Sequence, residues 1–491
     1  MKKIIYTLFA LLLISSCTME PVRDAKQETA QPKIYPDYVD VTIPVNIAPL
    51  NFCMADEKAL LIDAVVADNQ GNSLHSQGEE SLDFDIEEWH QILGNNRGKK
   101  LTVTVSAKYE DGWHTYCPFY ISVSNDSIDY GICYRLIEPG YEVWSKMGIY
   151  ERDLTSFDER ALIENTQFEG CVNCHSFNRG NSADMSIHVR GSHGATLLRN
   201  NGGDFTAYNT KTDETLGFCV YPYWHPSGRY IAYSTNATSQ LFHVSDPNRV
   251  EVFDTASDIQ VYDVEKNELL LTPLLRQDSV YETYPVFSAD GHSLYFCAAR
   301  AFPENSLNLD SLHYNLCRID FDPSTGSFGN RIDTILCAEA QHKSISFPRP
   351  SYDGRYLCYT LSDYGQFSIW HHEADLYLLN LSTGESIAMT GANSDDTESF
   401  HNWSTNSRWL VFSSRRDDGL YTRPYFCHVD ANGTVSKAFM LPQHNPRRFY
   451  RERFFSFNVP DFIIAPTRFN ANKACRMIND EYRKRFEIVH K

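Results

Sequence analysis

From Tyr38 onward the chain alternates apolar and polar positions in short runs. Val39, Val41, Ile43 and Val45 are separated by polar or turn-forming residues, and Leu101 to Ala107 repeats the alternation before the turn signal Glu110-Asp111-Gly112. A period of two predicts strands with one buried face. Leu60 to Val66 is a short apolar run closed by Asp68-Asn69-Gln70-Gly71, the pattern of a further strand ending in a turn. Together these runs predict a small β-sandwich over residues 36–125, with Trp89 and Trp113 in its core. Helical spacing enters at two places. Residues 158–164 read as one short helix, and Ile478, Tyr482 and Phe486 predict a second over 472–491, packed on the main body.

The centre of the chain repeats itself. Tyr221-Pro222-Tyr223-Trp224-His225-Pro226-Ser227-Gly228-Arg229-Tyr230-Ile231-Ala232-Tyr233 returns as Tyr284-Pro285-Val286-Phe287-Ser288-Ala289-Asp290-Gly291 followed by Leu294-Tyr295-Phe296. It returns again as Phe347-Pro348-Arg349-Pro350-Ser351-Tyr352-Asp353-Gly354-Arg355-Tyr356-Leu357-Cys358-Tyr359, and more loosely at His401-Asn402-Trp403-Ser404 with Trp409-Leu410-Val411-Phe412. Each copy reads as strand, tight turn, strand. A second hairpin signature follows each, at Asp258 to Asp263, Asn315 to Asp320, Asp375 to Asn380 and Tyr425 to Asp430. Four strands per unit, at a period of about 50 to 63 residues, predict an all-β propeller.

These units resemble the PD40 repeats of TolB-like propellers over roughly residues 170 to 470. The resemblance names a fold rather than an activity. Asn406-Ser407 departs from the Asp-Gly of the other turns. Blades are expected to begin near 170, 220, 283, 346 and 399, and Ser456-Phe457-Asn458 with Phe462 to Ala465 supplies one further inner hairpin. Its partner strands are expected from upstream, around Met147 to Leu154, which predicts a six-bladed ring over 126–471 closed by strands from both ends.

One motif carries pointed chemistry. Cys171-Val172-Asn173-Cys174-His175 spells C-x-x-C-H, the pattern by which two thiols take haem vinyl groups while the histidine ligates iron. Met185, His188 and His193 follow at distances that make them candidates for the sixth ligand. On this reading haem c is the cofactor, His175 its metal ligand, and the role is electron transfer with an envelope protein partner. The alternative makes Cys171 and Cys174 a structural disulfide in a non-catalytic scaffold that binds a protein or a glycan. Aligning Ser176 with Ser288 and Ser351 puts His175 where Trp224, Phe287 and Trp403 stand, a core position of a blade. His371-His372-Glu373 reads as a solvated loop.

Composition narrows the partners. The chain has 44 basic and 63 acidic side chains, a net charge of −19, which repels phosphate and argues against nucleic acid. No G-x-S-x-G elbow and no phosphate-cradling glycine loop occurs, so the balance is against an enzyme. At the N-terminus, Lys2 and Lys3 precede an apolar run too short to span a bilayer. Ile14-Ser15-Ser16-Cys17 resembles the lipobox of bacterial lipoproteins. The expectation is a signal peptide over 1–16, a lipid on Cys17 and a polar tether over 17–35. This implies a bacterial cell-envelope protein, periplasm-facing or at the surface, held to the membrane through its N-terminal lipid.

Overall fold

A computed structural model describes residues 19–138, 146–302 and 307–491. The segment expected to be a signal peptide, residues 1–16, and Cys17 lie outside the described residues. Six four-stranded antiparallel sheets, two of them extended by a short fifth strand, make a six-bladed β-propeller. We number the blades along the ring. Blade I takes its inner strand, Ser456–Ile463, from the C-terminal end and its other three, Gly131–Ile137, Met147–Asp153 and Glu159–Glu164, from upstream. The ring is thus closed by strands from both ends, as the repeat count predicts, and Gly131 pairs with Ile463 across the closure. Residues 159–164 form an outer strand rather than the expected helix, because Leu162 and Ile163 bury against the blade.

Blades II to VI begin at inner strands Cys171–Asn178, Val220–Trp224, Val280–Phe287, Ser344–Pro350 and Glu398–Trp403. In blades III to VI, a serine or histidine closes the turn that leaves the inner strand, as Ser351 does by donating its backbone N–H to the Tyr356 carbonyl at 2.8 Å. The left-handed turn position is glycine in four blades, Gly180, Gly228, Gly291 and Gly354. At Gly291, φ is +78°, and a Cβ would sit 2.0 Å from the His225 ring, which bonds the Gly291 carbonyl. Blade VI uses Ser407 at φ +59° instead. Its turn survives because Ser404 Oγ holds the Asn406 amide oxygen at 2.6 Å, as Ser351 holds Asp353.

Upstream, the β-domain is built on a seven-stranded sheet whose main strands are Leu61–Ala67, Ser73–Gly78, Lys100–Tyr109, Gly112–Thr115 and Phe119–Val123. A two-stranded ribbon, Ile34–Tyr35 with Cys53–Met54, and a helix, Ile86–Asn95, complete it. Asp85 caps the helix by accepting the N–H groups of Glu87 and Glu88, and Trp89 anchors it by donating to the Ile47 carbonyl at 3.1 Å. The core of this domain runs without a break into blades I, V and VI through Tyr134, Trp403, Trp409 and Phe457.

The C-terminal stretch departs from expectation. The helix spans only Ala471–Asn479; beyond it, Lys484–Arg485 and Glu487–His490 add parallel edge strands to blades II and III. Phe486, expected on a helix face, stacks on Tyr262 at 4.1 Å between ring centroids. The open outer edges of two blades offered unpaired backbone groups, and pairing them outweighed a longer helix.

Candidate ligand site in the central channel

Every inner strand breaks its ladder at the same place. Cys174, Tyr221, Tyr284, Phe347, Phe400 and Val459 adopt φ between 49° and 53°, one in each blade. Such a conformation is costly for a bulky side chain. Recurrence around the ring makes it a property of the architecture: each bulge re-aims the strand where it lines the channel.

This bulge corrects the register of the Cys-His motif. Phe177 pairs with Met185 as Trp224 pairs with Ile231, Phe287 with Leu294 and Trp403 with Leu410. Phe177, not His175, therefore fills the aromatic core position. His175 stands where other blades carry Pro222, Pro285, Pro348 and Pro460, and where blade VI carries His401. The two histidines do the same thing. His175 Nε2 lies 3.2 Å from the Cys133 carbonyl oxygen, and His401 Nε2 lies 3.0 Å from that of Cys358, each on the second strand of the preceding blade. A carbonyl only accepts, so both rings are the Nε2–H tautomer. Burial lowers His175 to about 4 and His401 to about 3, keeping both neutral.

The remaining motif residues do not converge on His175. Met185 packs in the blade core. His188, buried, pairs its Nδ1 with Thr196 Oγ1 at 3.0 Å and is lowered to about 3 by burial. His193 lies in the turn after Asn181–Arg190, and its carbonyl accepts from Arg483. Cys171 and Cys174 are both free thiols. Burial raises the Cys174 thiol, opposed by the positive charge of Arg190 and Arg135. Among the described residues, no group of three or more His, Cys, Asp or Glu is placed to hold a metal ion.

Cys174 and His175 do line a cavity of about 370 Å³ at the channel axis. Five blades contribute to it. Its apolar wall is Tyr221, Phe347, Phe367 and Phe400, its cations are Arg135, Arg190 and Arg349, and no lining residue is acidic. A smaller chamber of about 30 Å³ lies beneath, with Asp461 in its wall. Asp461 accepts from Asn402 Nδ2 at 2.6 Å and from the Phe177 N–H at 3.2 Å, and burial raises its carboxyl to about 7 against the pull of Arg349.

An arm edges the mouth. The hairpin strands Tyr230–Phe242 and Val250–Asp263 of blade III run to 13 and 14 residues, well beyond the blade itself. Thr238, Ser239, Gln240 and Val252 of this arm join the cavity wall. Sequence reasoning missed the arm, Arg135 and Arg190. The long polar stretch from Thr235 to Asn248 was the available signal for the arm. Nothing local marked the arginines, which only ring closure brings together.

No family model matches the sequence, and no curated protein does. Among solved structures, prolyl oligopeptidase B from Galerina marginata is similar at 9% identity and TM-score 0.36, covering 69% of this chain and 42% of that one. Dipeptidyl peptidase 4 from Porphyromonas gingivalis shares 11% identity at TM-score 0.31, covering 72% and 60%. The tricorn protease shares 12% at TM-score 0.34, covering 81% and 43%. The chain thus spans less than two thirds of the length of each. Likeness of this order carries no inference about activity; the six hydrogen-bonded sheets define the class, a β-propeller.

Proposed function

We propose that this protein is a binding propeller whose central channel holds a small ligand, and that its Cys-His motif is part of the channel wall. The observation that carries the reading is the pairing of His175 with His401. The histidine of C-x-x-C-H is accounted for by a tie between neighbouring blades that recurs in blade VI, where no cysteine pair accompanies it. Covalent haem, the competing reading of the motif, needs that same Nε2 as iron ligand. It would break the bond to Cys133, and neither Met185 nor His188 faces the channel cavity. The residues as arranged do not fit the group.

A cavity of about 370 Å³ with aromatic walls and a few polar groups falls in the range of small-molecule sites. Its lining holds no carboxylate to pair with the neutral histidines for acid–base work, which favours binding over turnover. The N-terminal pattern supports an exported protein tethered by a lipid on Cys17, with the channel presented in the cell envelope. Native mass spectrometry of protein isolated from its own cells tests the reading. A non-covalent small molecule should accompany the wild type and be lost in Ser239→Trp, which fills the mouth. A bound molecule retained by Ser239→Trp, or none in either, contradicts it.

A further inference from the structure

We propose that the channel ligand is a small organic anion, its charged group received by Arg135 and Arg190 and its apolar body laid against Phe347 and Phe400. This rests on the binding reading above and adds the ligand's chemical class. Some arginines of this acidic chain pair with carboxylates. Arg160 pairs with Glu151, Arg229 with Asp263 and Arg416 with Glu398. The channel arginines are different. Among the described residues, no carboxylate oxygen lies within 4.0 Å of Arg135, Arg190 or Arg349.

Each has a separate backbone origin. Arg135 lies on the second strand of blade I; its Nε is buried without a partner, and its Nη2 reaches the Asn458 amide oxygen at 3.1 Å when that amide is turned oxygen-inward. Arg190 ends the second strand of blade II with its side chain turned to the cavity and no hydrogen-bond partner among the described residues. Arg349 comes from the inner strand of blade V, donates to the Pro348 carbonyl at 3.0 Å and lies 5.5 Å over the Tyr223 ring. Burial disfavours its charged form.

Three guanidiniums around one cavity repel each other, and Arg349 is also poorly solvated, so an anion entering the cavity relieves both costs. Guanidinium geometry suits carboxylate, sulfonate or phosphate oxygens, which two such groups can clamp. The aromatic wall then selects for an attached ring or chain. A cavity of about 370 Å³ is of the size that takes a small molecule. The low dielectric of the channel strengthens the contact relative to an exposed patch.

The test uses two fluorescent probes of one shape, the anion 8-anilinonaphthalene-1-sulfonate and the neutral N-phenyl-1-naphthylamine. Both should bind saturably to the full chain, and Ser239→Trp should abolish both. The anion should bind about tenfold or more tighter than the neutral probe, and salt should weaken the anion alone. Arg190→Gln and Arg135→Gln should each weaken the anion about three- to tenfold and leave the neutral probe unchanged. Arg190 is exposed, so its variant reports even where Arg135→Gln lowers the melting temperature. Equal affinities, unmoved by either substitution, overturn the anion class and leave the binding reading standing. Absence of channel-dependent binding by both probes overturns the binding reading and this inference with it.

Discussion

Glu251 Oε2 lies 3.0 Å from His371 Nε2, although 120 residues separate them. Glu251 belongs to the arm of blade III, and His371 follows the second strand of blade V, so the contact clips the arm across the channel mouth. Around it, Tyr364 donates to Glu251 Oε1 at 2.6 Å, Glu373 Oε1 stands 3.4 Å from His371 Nδ1, and His243 stands 3.6 Å from Glu251. His371 is 1% exposed, so the pair is screened little by water.

The clip predicts a stability difference that is present at pH 6 and lost at alkaline pH. Burial lowers the affinity of His371 for its proton, but Glu251 and Glu373 override it and hold the ring raised to about 9 from 6.5. A raised pKa contributes stability that is complete below the unfolded value and disappears as pH rises through the folded one. His371→Gln should therefore lie roughly 2–3 kcal/mol below the wild type at pH 6, the gap closing between pH 7 and 10. Urea titrations across that range check it; a gap independent of pH would remove the charge from the account.

The blade ties of His175 and His401 predict matched costs. Replacing either with leucine leaves a buried carbonyl, Cys133 or Cys358, without its donor, which costs about 1–3 kcal/mol. Glutamine, which retains a donor, should recover part of each. Denaturation midpoints of the four variants read this directly.

At the turn of blade IV, Gly291→Ala should cost about 2–4 kcal/mol, since the new Cβ meets the His225 ring as well as a left-handed backbone. Gly384, at φ +74° with nothing within 4 Å, separates the two effects. Its alanine variant should lose only about 1–2 kcal/mol.

The C-terminal strands predict a packing cost. Phe486 is 8% exposed and touches both Tyr262 and Tyr208. Phe486→Ala should destabilise by about 2–4 kcal/mol. If the stretch were a loosely attached helix, the change would be near zero.

Much of the ring was legible in the sequence because each blade carries its own turn chemistry. Ser-x-Asp-Gly hairpins at Ser288 and Ser351, with looser copies at His225 and Ser404, located four blade starts, and the orphan inner segment at Ser456 pointed to closure from upstream. The motif's register was misread by two residues because Ser176 looks like the turn serine, whereas aligning the bulge at Cys174 with those of the other blades puts Asn178 in that role. Residues 484–490 carry helical spacing, and only the unpaired edges of blades II and III, formed hundreds of residues earlier, draw them into strands. Of the six residues singled out for haem, the fold brings Cys174 and His175 to the cavity and disperses the rest. The arginines that face them sit in unremarkable alternating strands, and no local pattern distinguishes a channel-lining arginine from a solvated one.

Haem-stained electrophoresis with intact-mass measurement of the protein isolated from its own cells shows whether the Cys-His motif is channel wall or haem site. No haem band is expected, and Cys174→Ser should change the mass only by the substitution itself. A covalent haem band that Cys174→Ser abolishes would contradict the channel-wall reading.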